Sequence, residues 1–164
     1  PFGSSGLAAG CVGLTPGVFA SPGSTGAMSL NIRVHVINAK CLPQTDFMGK
    51  TDAYCKVSMR GKEVLQTEVV KNDLNPVWEA KADVIWDGVS DLVFSVWDRN
   101  VMRKDEWIGQ YVMPKPLIRT GFKGPMPLQA GTGIEKGSSD NRPMITVKVV
   151  PPASDGCCGG CSVM

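Results

Sequence analysis

An eight-stranded antiparallel β-sandwich is the fold class this chain predicts, and three observations carry it. Apolar residues recur with a period of two in short runs, from Leu30 through Val149, the signature of strands with one buried face. Turn signals such as Met48-Gly49-Lys50, Arg60-Gly61 and Asp87-Gly88 punctuate those runs, as hairpins and strand ends require. No segment sustains a 3.6-residue period over three turns, and only residues 115–120 offer a single turn of helix. Short strands in series with turn-rich connections describe two packed sheets.

Each element follows from its own pattern. Leu30, Ile32, Val34 and Val36 alternate with Asn31, Arg33 and His35, so the first strand has a polar side on which His35 is an exposed strand histidine. Ala53, Cys55, Val57 and Met59 alternate with Tyr54, Lys56, Ser58 and Arg60. Trp78, Ala80, Ala82 and Val84 face one way while Glu79, Lys81 and Asp83 face the other. Leu92, Phe94 and Val96 repeat the alternation, and Ile145, Val147 and Val149 close the series. Further short strands are expected near residues 62–70, 107–113 and 125–129. Trp78, Trp86, Trp97 and Trp107 all fall in or beside strands, where core and edge packing is their ordinary use.

Composition bounds the function. The chain has 164 residues, 43% hydrophobic and 20% charged, with 17 basic against 15 acidic side chains and a net charge of +2. That suits one folded domain with tails. The charge excess is too small to point to nucleic acid, and no uncharged apolar run approaches the roughly 18–20 residues of a membrane-spanning helix. A lone histidine and the absence of a Ser-His-Asp set, a P-loop or a paired catalytic carboxylate argue against an enzyme. The domain is expected over residues 28–151. Before it, residues 1–27 carry no charge, seven glycines and three prolines, a Gly-rich disordered leader or upstream-translated segment without the basic and apolar regions of a secretory signal. After it, residues 152–164 form a flexible Cys-rich tail. Cys157, Cys158 and Cys161 crowd that tail while only Cys41 and Cys55 lie in the body. A secreted disulfide framework would spread them through the fold, so a reduced, cytoplasmic protein is expected.

The acidic residues tell a sharper story. Asp46 and Asp52 bracket a loop after the first strand, and Asp98, Asn100, Asp105 and Glu106 occupy a second loop after the strand ending at Trp97. Carboxylates crowded in adjoining loops repel one another unless a hard divalent cation joins them, and Ca²⁺ takes six to eight oxygens from carboxylates and carbonyls. The spacing is not that of an EF-hand, whose glycine position is filled by Arg103. On these residues alone, ordinary solvated loop charges stand as an equal alternative.

A resemblance adds to this reading. Ile37-Asn38-Ala39-Lys40-Cys41-Leu42-Pro43 leads to Gly49-Lys50-Thr51-Asp52-Ala53-Tyr54, then Leu74-Asn75-Pro76-Val77-Trp78, Val96-Trp97-Asp98 and Asp105-Glu106-Trp107-Ile108-Gly109. The order and spacing of these blocks, over roughly residues 28–151, resemble the C2 domain, the Ca²⁺- and phospholipid-binding β-sandwich. The resemblance implies a metal site of Asp46, Asp52, Asp98, Asn100 and Glu106, with backbone carbonyls from Thr45 and Arg99, holding one or two Ca²⁺ ions. Asn100 and Glu106 depart from the family's usual aspartates, leaving four formal negatives rather than five, and fewer carboxylates weaken such sites. A first strand beginning near Met28 and a last strand over 142–150 imply the circularly permuted, phospholipase-C-like strand order. Many C2 domains also carry a lysine cluster for polyphosphoinositides, but Gln66 and Glu68 stand at the matching positions, so strong phosphoinositide selectivity is not expected.

Both ends of the argument point to a membrane. Phe47 and Met48 crown the first loop, and Val101 and Met102 crown the third beside Arg103 and Lys104; apolar tips with basic flanks suit shallow insertion into an anionic phospholipid surface. The terminal Cys161-Ser162-Val163-Met164 resembles a C-a-a-X farnesylation signal, although Ser162 departs from the common aliphatic. Cys157 and Cys158 are available for S-acylation, and two lipid signals anchor stably where one binds marginally. A Cys158-x-x-Cys161 redox pair lacks its βαβ context, and zinc lacks a fourth ligand. The expectation is a monomeric, Ca²⁺-dependent phospholipid-binding module, lipid-anchored at a cytoplasmic membrane face. The alternative is a Ca²⁺-independent protein-interaction scaffold.

Overall fold

Alternation becomes architecture once each strand buries its apolar side. The computed structural model describes residues 29–44, 49–130 and 142–151. Among them lie strands β1 (Leu30–Lys40), β2 (Ala53–Met59), β3 (Lys62–Gln66), β4 (Val77–Trp86), β5 (Leu92–Asp98), β6 (Glu106–Met113), β7 (Phe122–Pro127), β8 (Gln129–Ala130) and β9 (Met144–Val150), with helix α1 (Lys115–Thr120) between β6 and β7. One sheet has the order β4-β1-β9-β7 and the other β3-β2-β5-β6-β8. Since β8 is two residues at an edge, each sheet rests on four main strands, the expected eight-stranded sandwich. β9 pairs antiparallel with β1, Val34 opposite Val149 and Val36 opposite Val147. The last described strand thus lies beside the first described one.

The inward sides of the two sheets meet in one core. Ile32, Val34, Val36, Trp86, Ile145 and Val147 from one sheet cluster with Cys55, Val57, Leu92, Phe94, Val96, Ile108 and Met113 from the other. Antiparallel order gives the sandwich two poles. Residues 41–44 and 49–52, 67–76 and 99–105 lie at one pole; the Arg60-Gly61 turn, residues 87–91 and α1 lie at the other. The far pole is tightly bonded. Asp87 Oδ1 accepts the Val89 and Ser90 backbone N–H groups at 2.9 and 2.7 Å, and Arg60 Nε lies 2.6 Å from Asp87 Oδ2. Burial works against the Asp87 charge, but the Ser90 hydroxyl, the two amides and Arg60 outweigh it and bring the carboxyl down to about 2.

Several elements differ from their sequence reading. β1 continues to Lys40 through an irregularity between Val36 and Asn38; a bulge resets the parity of inward residues, so alternation stops signalling where the strand goes on. The third strand ends at Gln66, and only Val70 of the following segment bridges back, to Ala53. β7 runs over 122–127 rather than 125–129, because Gly124, Pro125 and Pro127 carry no period-two signal. His35 is on the polar side as expected, yet its side chain is only 14% exposed, since Nε2 lies 2.7 Å from Glu79 Oε2.

Candidate functional site

The loop pole is built by a brace of backbone and amide hydrogen bonds. The connection between β3 and β4 crosses under the β1–β2 loop: Leu42 N–H donates to the Leu74 carbonyl at 3.0 Å and Asp73 N–H to the Thr51 carbonyl at 3.1 Å. Asn75 Oδ1 accepts Cys41 N–H at 3.0 Å, and Asn72 Oδ1 accepts Lys50 N–H at 2.9 Å. Asn72 has φ 57°, a left-handed position that asparagine tolerates better than most residues. Trp78 Nε1 donates to the Ala53 carbonyl at 3.2 Å, and the Thr51 hydroxyl to the Pro43 carbonyl at 2.7 Å. The Leu74-Asn75-Pro76-Val77-Trp78 block is therefore the strut that holds the first loop's neck.

On this strut the carboxylates converge. Asp98 is opposite Ala53 across β2–β5 and opposite Glu106 across β5–β6. Asp52, one residue before β2, donates its backbone N–H to Asp98 Oδ1 at 2.8 Å, while its own Oδ1 accepts Asn72 N–H at 2.8 Å. Arg99 N–H donates to the Asp52 carbonyl at 2.9 Å. Asp52, Asp98 and Glu106 are thus brought to one end of one sheet with Arg99 beside them. Asp98 and Glu106 are the last and first residues of strands rather than loop residues, and Asp98 is fully buried. This corrects their sequence placement: the β5–β6 pairing continues one residue further at each side than the apolar alternation does. The donor set is all oxygen, the type a hard cation such as Ca²⁺ takes, and two of its carboxylates are already oriented by backbone amides.

The third loop closes on itself. Asn100 N–H donates to Asp105 Oδ1 at 3.3 Å, and Asn100 Nδ2 to the Lys104 carbonyl at 3.4 Å. The Tyr54 hydroxyl donates to Asp105 Oδ2 at 2.6 Å. That hydrogen bond holds the Asp105 carboxyl below the usual carboxylate range, while burial first and Asp105 second push the Tyr54 phenol up. Tyr54 and Asp105 are the members of the site that sequence reasoning missed in this role. Tyr54 sits on the polar side of β2, and only the loop's return over it explains its burial. Beyond the loop base, Val101 and Met102 stand 94% and 97% exposed, followed by exposed Arg103 and Lys104. On the outer side of the same sheet, Lys56 Nζ lies 5.5 Å from the Tyr54 ring centre and 5.7 Å from that of Trp97, and Gln66 pairs opposite Lys56.

Thr45, Asp46, Phe47 and Met48 of the first loop lie outside the described residues, as do Cys157, Cys158 and Cys161 and the whole of segments 1–27 and 152–164. Among the described residues, no group of three or more His, Cys, Asp and Glu side chains is arranged closely enough to hold a metal by itself.

Comparison with known proteins agrees with the sandwich fold. Synaptotagmin-4 of Arabidopsis thaliana is 40% identical over 96 residues, which is 57% of this chain and 16% of that protein. A protein of the same plant called calcium-dependent lipid-binding protein is 28% identical over 122 residues, 71% of this chain and 24% of its own length. The chain thus spans less than a quarter of either relative. Among solved structures, a C2 domain of plant extended synaptotagmin 1 superposes with a TM-score of 0.63 at 21% identity, covering 76% of this chain and 95% of that one. The family model of the C2 domain matches residues 30–125, from the start of β1 into β7. With that match over more than half of its length and its two packed antiparallel sheets, the chain belongs to the C2 domain family.

Proposed function

We propose that this domain binds anionic phospholipid membranes in a Ca²⁺-dependent manner at its loop pole. The carrying observation is the stacking of two features there: Asp52, Asp98 and Glu106 at the sheet end, and the bare Val101–Met102 tip with Arg103 and Lys104 next to it. Asp52, Asp98 and Glu106, with Asp46, Asn100 and the Thr45 and Arg99 carbonyls, would hold one or two Ca²⁺ ions; bound metal cancels the carboxylate charge that otherwise repels an anionic surface. Each apolar tip side chain then contributes at most about 1.5–3 kcal/mol on burial, with Phe47 and Met48 adding to the same tip and Arg103 and Lys104 attracting lipid phosphates. The relative named for calcium-dependent lipid binding supports this reading. In this proposal the protein is a binding module rather than an enzyme, peripheral at a cytoplasmic membrane face. A farnesyl group on Cys161, with acylation of Cys157 or Cys158, would add a Ca²⁺-insensitive anchor.

One observation favours the Ca²⁺-independent scaffold instead: both Asp105 carboxylate oxygens are engaged within the fold, by the Tyr54 hydroxyl and the Asn100 N–H, so hydrogen bonds close the third loop with no cation needed to hold it. Sedimentation of unlipidated protein with phosphatidylserine–phosphatidylcholine vesicles separates the two. Binding in Ca²⁺ that disappears in chelator, and that Asp98→Asn abolishes, is the expected result. Equal sedimentation with and without Ca²⁺ overturns the proposal and supports the scaffold.

A further inference from the structure

The outer face of the β4-β1-β9-β7 sheet carries a row of basic side chains. His35 pairs opposite Lys81 on one side and Lys148 on the other, and Lys148 pairs opposite Lys123. Four basic residues therefore lie in register across all four strands. With strands about 4.8 Å apart, the row spans about 14 Å. Lys123 and Lys148 are directly opposite, and like charges so placed destabilise a sheet, so the fold retains this pair at a cost. Beside the lysines, Arg33 Nε lies 2.8 Å from Asp83 Oδ1, and His35 Nε2 lies 2.7 Å from Glu79 Oε2. Lys81, Lys123 and Lys148 are exposed and form no ion pair among the described residues.

We propose that this row docks an acidic segment of a partner protein, on a face separate from the membrane-binding pole. Charge complementarity names the chemistry, and two features favour a peptide over a flat bilayer. An open depression lined by Arg33, Asp83, Lys148, Val150 and Pro151 adjoins the row, room for side chains that a bilayer surface does not supply. Val77, Ile85 and Val150 stand exposed on the same face, apolar contacts interspersed with charge as in a protein interface.

The test uses the full chain and a fluorescent twelve-residue peptide of alternating Glu and Leu, read by anisotropy at low and moderate salt. Wild type is expected to bind, more weakly as salt rises. The triple variant Lys81→Gln, Lys123→Gln, Lys148→Gln should lose at least about tenfold in affinity while its melting temperature holds or rises, because repulsion within the row is relieved. The control triple Lys62→Gln, Lys71→Gln, Lys115→Gln, with the same change in net charge, should stay within about twofold of wild type. Equal losses in both triples would mean attraction by net charge alone and overturn the proposal, as would absence of peptide binding by wild type. Vesicle binding in chelator that depends on Lys81, Lys123 and Lys148 would overturn it in favour of a lipid occupant. The Ca²⁺-dependent sedimentation of the row variant should match wild type, so this proposal and the membrane reading fail separately.

Discussion

Removing the Tyr54 hydroxyl tests how the third loop is held. In Tyr54→Phe the ring remains in place beside Lys56, and Asp105 loses the donor at 2.6 Å that keeps its carboxyl in the charged form. A hydrogen bond to a charged group is worth about 1.5–3 kcal/mol; Asp105 is only half-buried and keeps the long contact from Asn100 N–H, so about 1–1.5 kcal/mol is the expected loss at pH 7. For a domain of this size that is a fall of about 3–6 °C in melting temperature. The sign with pH follows from linkage. A carboxyl whose folded pKa is depressed stabilises the fold above its unfolded pKa, and that contribution is lost as pH falls through the folded value. The gap between wild type and Tyr54→Phe in urea unfolding should therefore be widest near neutrality and shrink as pH falls below the ordinary aspartate range of about 4. A gap that is the same at pH 7 and pH 2.5 would refute the assignment and reduce the effect to lost packing.

Other perturbations probe the strut, the far pole and the core. Asn75→Ala removes the acceptor for Cys41 N–H and should cost about 1 kcal/mol in thermal unfolding, with Asn75→Asp, which keeps the oxygen, recovering most of it. Asp87, lowered from an ordinary 3.8 to about 2, contributes fully above the unfolded value and is lost as pH falls through about 2; Asp87→Asn should abolish roughly 2 kcal/mol of that acid-sensitive stability, seen by comparing urea midpoints at pH 6 and pH 2. Phe94 is fully buried in the centre of the core, so Phe94→Ala should lose about 3–5 kcal/mol and, in a domain of ordinary stability, broaden or abolish the cooperative melt recorded by near-UV circular dichroism.

Strands with one wet and one dry side were open to reading from residues alone. On β4, half-buried or buried Trp78, Ala80, Ala82 and Val84 alternate with exposed Glu79, Lys81 and Asp83 just as the letters do. The period fails where the backbone changes parity, as at the β1 bulge, or where residues lack a side that can be scored, as at Gly124, Pro125 and Pro127 in β7. At the loop pole, residue types and spacing pointed to oxygen ligands, but not to which groups the fold would engage. Asn100 is expected as an oxygen ligand and Asp105 as a residue close by; the contacts that orient them, Asn100 Nδ2 to the Lys104 carbonyl and the Tyr54 hydroxyl to Asp105, have no trace in the local sequence. Such partnerships join residues tens of positions apart, Tyr54 to Asp105 and Cys41 to Asn75 among them, and local pattern carries no record of them. The basic row on the opposite sheet is likewise invisible until register is known, since Lys81, Lys123 and Lys148 come from three separate strands.

The direction of β9 has a mechanical consequence. Met144 pairs with Lys40 beside the loop pole and Val150 with Arg33 toward the other, so the chain departs from the pole remote from Val101 and Met102. The ten residues of β4 measure the distance between poles at about 33 Å. Ten residues lie between Val150 and Cys161, and the eleven residue steps, fully extended, reach about 36–40 Å. If Cys161 carries a lipid, the tether and the sandwich are nearly equal in length. A domain standing on its loop tips can then insert that lipid in the same bilayer only by drawing the tether almost taut along its flank, which forfeits most of the gain in local concentration that a slack tether gives. Three residues fewer and the two attachments exclude each other on one flat membrane, leaving opposite poles suited to two apposed ones; six more, and they cooperate on one. Tail length, rather than any contact, would decide whether this domain rests on a membrane or spans the gap between two.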